Sequence, residues 1–398
     1  MRRTRLVALV AAILTLSACG TSGDGGSSPN GAPAPPEMQA LDAIGDGEGE
    51  VNILAWAGYA EDGSTDPAVD WVTPFEQQTG CTANVQVADT SDSMFEKMGT
   101  GDFDVVSASG DSSLRMIYAG KVAPVNTDLL TNYADVPDFQ KMQAWNSVNG
   151  VAYGMPHGWG AQLMAYRTDV VSPAPTSWDV VFDPATSYSG KITDYDSPTD
   201  GIAAAAVYLM ATQPDLGIKN PYALDQDQFD AAVTLLKQQQ PHVASYWASY
   251  TDAQKALENG STVVGSTWQI IVNLAQADGA PVESVLPEEG ATGWADTWMV
   301  DAKSPHPNCA YQWLNWVTTP EVQAQIAEWF GEAPANVKAC ELTSEPTHCD
   351  TFHADDQEFF SKVWFWTTPQ AACLDGRTDV QCVPYAEWGK AWSEVKNG

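Results

Sequence analysis

From residue 51 the chain alternates short apolar runs with amphipathic segments. VNILAW (51–56), ANVQV (83–87) and DVVSAS (104–109) are compact apolar runs that predict strands. Between them the periodicity predicts a helix over 69–80 ending in Gly80, a second over 93–99 and a third over 112–122. The rhythm resumes with strands at 161–167 and 190–195 and helices over 201–212 and 226–239. A further strand at 261–266 leads into a helix over 268–277. This β-α-β-α order predicts an α/β protein with a mostly parallel sheet and helices on both faces. No repeat of constant period is present. In open sheets of this kind a ligand sits beyond the carboxyl ends of the strands, so the residues just after strands carry the information about function.

Those positions are unusual. Trp56 and Tyr59 follow the first strand, and Ser109 and Asp111 the third. Asp196 and Asp200 lie in DSPTDG after GKITDY, Trp268 follows STVVGS, and EEGATGWADTW supplies Trp294 and Asp296. Basic residues are nearly absent from the set. If 288–300 (EEGATGWADTWMV) is a strand, Trp294, Asp296 and Trp298 share one face. An unpaired carboxylate among indoles is costly to bury. It is either paired by a neighbour, exposed, or placed to meet a cation. An ammonium group stacks on an indole or phenol face at ~0.5–2 kcal/mol and donates charge-assisted hydrogen bonds to carboxylates. Core packing accounts for most of the 16 tryptophans, but it does not explain the interleaved acids at the strand ends.

The N-terminus changes the picture of where such a domain works. Arg2, Arg3 and Arg5 precede an apolar stretch (6–18) too short to span a bilayer, and Leu16-Ser17-Ala18-Cys19-Gly20 closes it. The match resembles the bacterial lipobox, which implies a signal peptide over 1–18 and a lipidated Cys19. An ordinary cleaved signal is the alternative. Residues 19–49, rich in Gly, Ser and Pro, read as a flexible tether. No later stretch is apolar enough for a membrane helix. Two acyl chains on one cysteine suffice for stable attachment to the outer face of a membrane.

Without the three signal-peptide arginines, 15 basic residues face 51 acidic ones, a charge of −36. Such a field repels nucleic acid and anionic lipid and draws cations. Six cysteines remain after Cys19: Cys81, Cys309, Cys340, Cys349, Cys373 and Cys382. In an exported chain an even number points to disulfides, and the sequence does not choose among the pairings. We favour two local loops, Cys340–Cys349 and Cys373–Cys382, with a long-range Cys81–Cys309. A metal reading assembled from Cys340, His348, Cys349 and His353 matches no zinc signature well, so no metal or cofactor is assigned.

Taken together, the strand-end motifs resemble the spermidine/putrescine-binding proteins of bacterial ABC importers. The resemblance runs from about Val51 to at least Asn336. Its motifs fall on Trp56-Ala57-Gly58-Tyr59, on Ser109, on Asp196-Ser197-Pro198-Thr199-Asp200, on Trp268 and on Glu289-Gly290-Ala291-Thr292-Gly293-Trp294-Ala295-Asp296. It implies the two-lobed periplasmic-binding-protein fold (type II), with the ligand cleft between lobes that close by hinge motion. Lobe 1 would take 50–157 and 293–330, lobe 2 would take 158–292 and 331–398. Trp56, Tyr59, Ser109 and Asp296 would face Asp196, Asp200 and Trp268 across the cleft. The ligand set also includes Asp111, Trp294 and Glu332. The implied partners are a polyamine, an ABC permease and its ATPase, with the chain acting as a monomer and without nucleic acid.

Several positions depart from the family pattern. Ile271 stands where several members carry an aspartate, Glu332 replaces an aromatic, and Asp111 replaces Tyr or Ser. The segment 61–67 reads as an insertion beside the site. The tail from Cys340 aligns poorly, and its aromatic run (363–369) assigns Trp364 and Trp366 to core packing, with closure of one cleft end as the alternative. The five histidines fit no catalytic motif, and no enzyme is expected. Competing readings are a binder of choline or betaine, a sugar binder, and a glycoside hydrolase, in which paired carboxylates lie among tryptophans.

Overall fold

The computed structural model describes residues 34–88 and 90–398. The predicted signal peptide, Cys19 and the first part of the tether lie outside the described residues. Among the described residues no helix is long and apolar enough to cross a membrane.

The chain supplies β1 (Glu50–Ala55), β2 (Thr82–Val87), β3 (Val105–Ser109) and β4 (Met155–Ala161) to a first sheet. It then lays β5 (Leu163–Arg167), β6 (Ile192–Tyr195), β7 (Val243–Trp247), β8 (Val264–Thr267) and β9 (Val282–Val285) into a second. It returns to the first with β10 (Ala291–Val300), β11 (Ala333–Pro334) and β12 (Val363–Phe365). The first sheet runs β11-β4-β10-β3-β1-β2, with β12 on β10, and the second runs β9-β5-β8-β6-β7. This is the two-lobed α/β fold that the resemblance implied, with each lobe carrying its own sheet. The sheets are mixed rather than mostly parallel, because β10 runs antiparallel to β3 and β4 in the first and β5 antiparallel to β8 and β9 in the second.

The strands form where apolar runs are continuous. β3 is buried throughout, lying between β1, to which it is parallel, and β10, to which it is antiparallel. Between β1 and β2, helix Val72–Thr79 buries Val72 and Phe75 and stops at Gly80, which takes the left-handed conformation. The predicted helices after β3, β6 and β8 are present as Gly110–Tyr118, Pro198–Thr212 and Gln269–Ala277. Their N-termini follow the carboxyl ends of the parallel strands, so both lobes aim strand ends and helix N-termini at the same space.

Two crossings between the lobes run side by side. Gln162 joins β4 to β5, its N–H donates to the Thr292 carbonyl at 2.8 Å, and Gly293 pairs with Ala161. The tail makes a further pass. β11 and β12 belong to the first sheet, whereas helix Tyr385–Asn397 packs on the two long helices of the second lobe. This departs from the assignment of all of 331–398 to lobe 2. The tail's short strands fill open positions beside β4 and β10, a pairing that no local pattern announces.

Three disulfides join Cys81 to Cys309, Cys340 to Cys349 and Cys373 to Cys382, the pairing favoured from the sequence. They consume both cysteines of the metal reading. His348 Nε2 lies 2.8 Å from the Glu332 carbonyl oxygen and His353 stacks on Phe359, so that constellation is structural.

Candidate functional site

β10 carries the centre of the interlobe space. It is buried along its whole length and alternates Thr292, Trp294, Asp296 and Trp298 on one face. The register with β4 shifts between Asp296 and Thr297, where β4 carries His157 as the extra residue, while the pairing of β10 with β3 runs on without a break. Trp298 is fully buried in the first-lobe core, and its indole N–H donates to His157 Nδ1 at 2.9 Å. That bond puts the proton of the neutral ring on Nε2, which faces Glu332 Oε1 at 3.4 Å. Burial drives the His157 pKa down to about 3, so the ring is neutral at ordinary pH.

Asp296 is paired in register with Ser109 on β3. Its Oδ2 accepts the Tyr59 hydroxyl at 2.8 Å, while Oδ1 is buried without a partner. The same phenol lies 3.0 Å from Glu332 Oε2. One O–H cannot donate to both, so one carboxyl retains a proton and returns the bond to the phenol oxygen. Burial and the charge of Asp296 push Glu332 well above its ordinary range, which makes Glu332 the protonated partner. Burial also lifts Asp296 to about 7, against the nearby Ser109 hydroxyl and the hydrogen bond from Tyr59, which favour its charge. Trp56 donates its indole N–H to Ser109 Oγ at 3.1 Å, which fixes its ring beside this cluster.

The second lobe contributes Asp200 from the first turn of helix Pro198–Thr212, where Ser197 is the N-cap. The helix dipole favours an anion there. Burial outweighs it and raises the carboxyl to about 7. Asp200 Oδ1 accepts from Thr292 Oγ1 and from Trp366 Nε1 (3.1 Å), and Oδ2 is buried without a partner. Asp111 occupies the matching first turn on the other lobe, accepts Ser91 Oγ at 2.8 Å, and is raised by burial to about 6.

Aromatic rings fill the space between. Tyr195 lies 5.3 Å from Trp268, 4.7 Å from Trp247 and 5.7 Å from Trp366, with the last pair nearly parallel at 6°. Burial and the charges of Asp111, Asp200, Asp196 and Asp296 raise the Tyr195 phenol. Trp294 packs edge-on to Phe330 at 5.8 Å, and a Cβ at Gly160 would lie 2.8 Å from its ring. The indole N–H groups of Trp268 and Trp294 are buried and unpartnered.

The structure therefore places Trp56, Tyr59, Ser109 and Asp111 at or just after the ends of strands of the first lobe, Asp200 and Trp268 just after strands of the second, and Trp294 and Asp296 on β10. Asp196 is different. Its Oδ1 accepts from Lys396 and from Trp392 Nε1 at 2.8 Å, both on the C-terminal helix, so its charge is already neutralised. Glu332 stands behind Tyr59, its oxygens turned to the phenol and to His157. Ile271 is fully buried in the second-lobe core. Sequence reasoning missed Tyr195 and His157, and it gave Trp366 to core packing with closure of one cleft end as the alternative. Tyr195 ends β6, so the strand-end rule that selected Asp196 could have selected it. Nothing local marked His157.

The fold and site define a two-lobed ligand-binding protein whose interlobe cleft is acidic and aromatic. The family model for bacterial extracellular solute-binding proteins matches residues 70–350, and the chain belongs to that family. It is 26% identical to the spermidine/putrescine-binding periplasmic protein of Escherichia coli (strain K12) over 321 residues, 77% of this chain and 88% of that protein. It is also 26% identical to a putrescine/agmatine-binding protein of Pseudomonas aeruginosa, over 69% of this chain and 78% of the relative. Among solved structures, the spermidine/putrescine ABC transporter substrate-binding protein PotD from Streptococcus pneumoniae superposes with a TM-score of 0.68 at 19% identity. It covers 87% of this chain and 97% of that one. The Atu4243-GABA receptor superposes at 0.64 with the same identity, so the fold alone does not name a ligand.

Proposed function

We propose that this protein captures a polyamine of the putrescine or spermidine type outside the cytoplasm and delivers it to an ABC permease powered by a cytosolic ATPase. One observation carries the reading: Asp200 and Asp296 keep buried, unpartnered oxygens beside aromatic rings, with no cation paired to either among the described residues. An ammonium group is the chemistry that satisfies such a pair, because it supplies charge, donors and a face for the rings. Sugars need no cluster of anions, and a quaternary amine has no N–H to donate. The named ligands of the matched relatives agree with this reading.

In this role the protein is a monomeric lipoprotein, anchored through Cys19 on the outer face of the cell membrane, and not an enzyme. Asp111 adds a third carboxylate on the first lobe, and Trp56, Tyr195, Trp268 and Trp294 provide the ring faces. Calorimetric titration against putrescine, spermidine, choline and maltose tests it. Putrescine or spermidine should bind, with affinity falling as salt rises. Heat from maltose or choline alone overturns the reading.

A further inference from the structure

Past residue 350, where the family match ends, the chain crosses the cleft once more. β12 pairs with β10 through Gly293, and the Trp366 N–H donates to the Gly293 carbonyl at 2.8 Å. The Trp366 carbonyl presses on Gly110 so closely that any Cβ there would overlap it. Thr368 Oγ1 donates to the Asp111 carbonyl at 2.8 Å. On the other side Tyr222 donates its hydroxyl to the Trp364 carbonyl at 2.9 Å. Arg377 ties the following loop to the second lobe, reaching Asp225 Oδ2 and the Ala223 carbonyl at 2.6 Å each. Trp366 is thus held from both lobes, its backbone against Gly293 and Gly110 of the first and its indole against Tyr195 and Asp200 of the second. It lies flat on Tyr195 and is 5% exposed, with its N–H on Asp200 Oδ1.

We propose that Trp366 sets the length of the ligand by acting as a stop at the Asp200 end of the cleft. This rests on the amine-binding reading above. β10 is the ruler. Thr292 holds Asp200, and Asp296 lies four residues further along the same face, about 13 Å away at ~3.3 Å per residue. Trp294 stands between them. Tyr59, backed by Glu332, closes the Asp296 end. At the opposite end Trp366 fills the space at Asp200 and occupies one of its two oxygens. A diamine whose ammonium groups reach Asp200 Oδ2 and Asp296 Oδ1 lies between the two closures. A third amine on a further arm has to displace the ring of a residue that both lobes hold.

The test is titration of the wild type, Trp366→Ala and Trp366→Leu with putrescine, cadaverine and spermidine, with the melting transition of each recorded. The wild type should prefer the diamines. In a folded variant the spermidine-to-putrescine affinity ratio should rise ~10-fold or more, the scale on which a pocket discriminates added bulk. The leucine variant keeps apolar volume in the core, so the comparison survives if the alanine variant does not fold. An unchanged ratio in a folded variant, or a wild-type preference for spermidine, overturns the role of Trp366. A wild type that binds no amine at all overturns the underlying functional reading instead.

Discussion

The Tyr59 hydroxyl lies 2.8 Å from Asp296 and 3.0 Å from Glu332, one proton donor between two buried carboxyl groups. The two contacts are satisfied together only as an ordered chain, in which the Glu332 carboxyl O–H donates to the phenol and the phenol donates to Asp296. Burial and the charge of Asp296 raise Glu332, in keeping with its place as the neutral end. Asp296 is the acceptor end and the member left to meet a cation.

Substitution should separate those two acids. Asp296→Asn removes the charge an ammonium needs and should weaken diamine binding by ~2 kcal/mol or more, the worth of a charge-assisted bond. The apo melting temperature should hold or rise, since a buried carboxylate with an unpartnered oxygen is removed. A large drop in apo stability by calorimetry would make Asp296 a structural residue.

Glu332→Gln should be mild. An amide N–H can take the place of the acid proton toward Tyr59, so binding should change by less than ~1 kcal/mol. If titration shows Glu332→Gln to be as damaging as Asp296→Asn, Glu332 is ionised and the proton order is reversed.

Stability and affinity should move oppositely with pH. Burial holds Asp200 and Asp296 at about 7 and Asp111 at about 6, above the ~3.9 of an unfolded aspartate. Between those values these three carboxyls hold more protons in the folded apo chain than in the unfolded one. The stability they contribute is therefore full below about pH 4 and is lost as pH rises toward 7. Amine binding requires the ionised carboxylates, so affinity should climb across the same upper range. Melting curves at several pH values, with and without putrescine, measure both trends. Asp200→Asn combined with Asp296→Asn should flatten the apo slope, and a slope unchanged by that pair would assign it to other groups.

The long disulfide should matter most to stability. Cys81–Cys309 closes a loop of sequence separation 228, against 9 for each of the others. Replacing both Cys81 and Cys309 by Ser should cost ~2–5 kcal/mol in denaturant unfolding, and more than the same change at Cys340 and Cys349. Equal losses would show that local strain, rather than chain entropy, dominates.

Much of this protein was written locally. The β-α-β order, the helix ended by Gly80, and Trp56, Ser109 and Trp268 at strand ends all follow from short-range pattern, because period and turn chemistry act over a few residues. The alternation of β10 likewise put Trp294, Asp296 and Trp298 on one face.

What the chain does with those residues was decided by distant contacts. Asp196 and Asp200 occupy one motif, yet Lys396, two hundred residues away, neutralises the first, while Thr292 and Trp366 hold the second with one oxygen free. Trp298 shares the face of Asp296 yet is sunk in the first-lobe core and bonded to His157. The tail strand pairs with β10 and carries Trp366 into the cleft. Charge pairing, burial and strand partnership depend on which elements meet in space, and only the tertiary structure specifies those meetings.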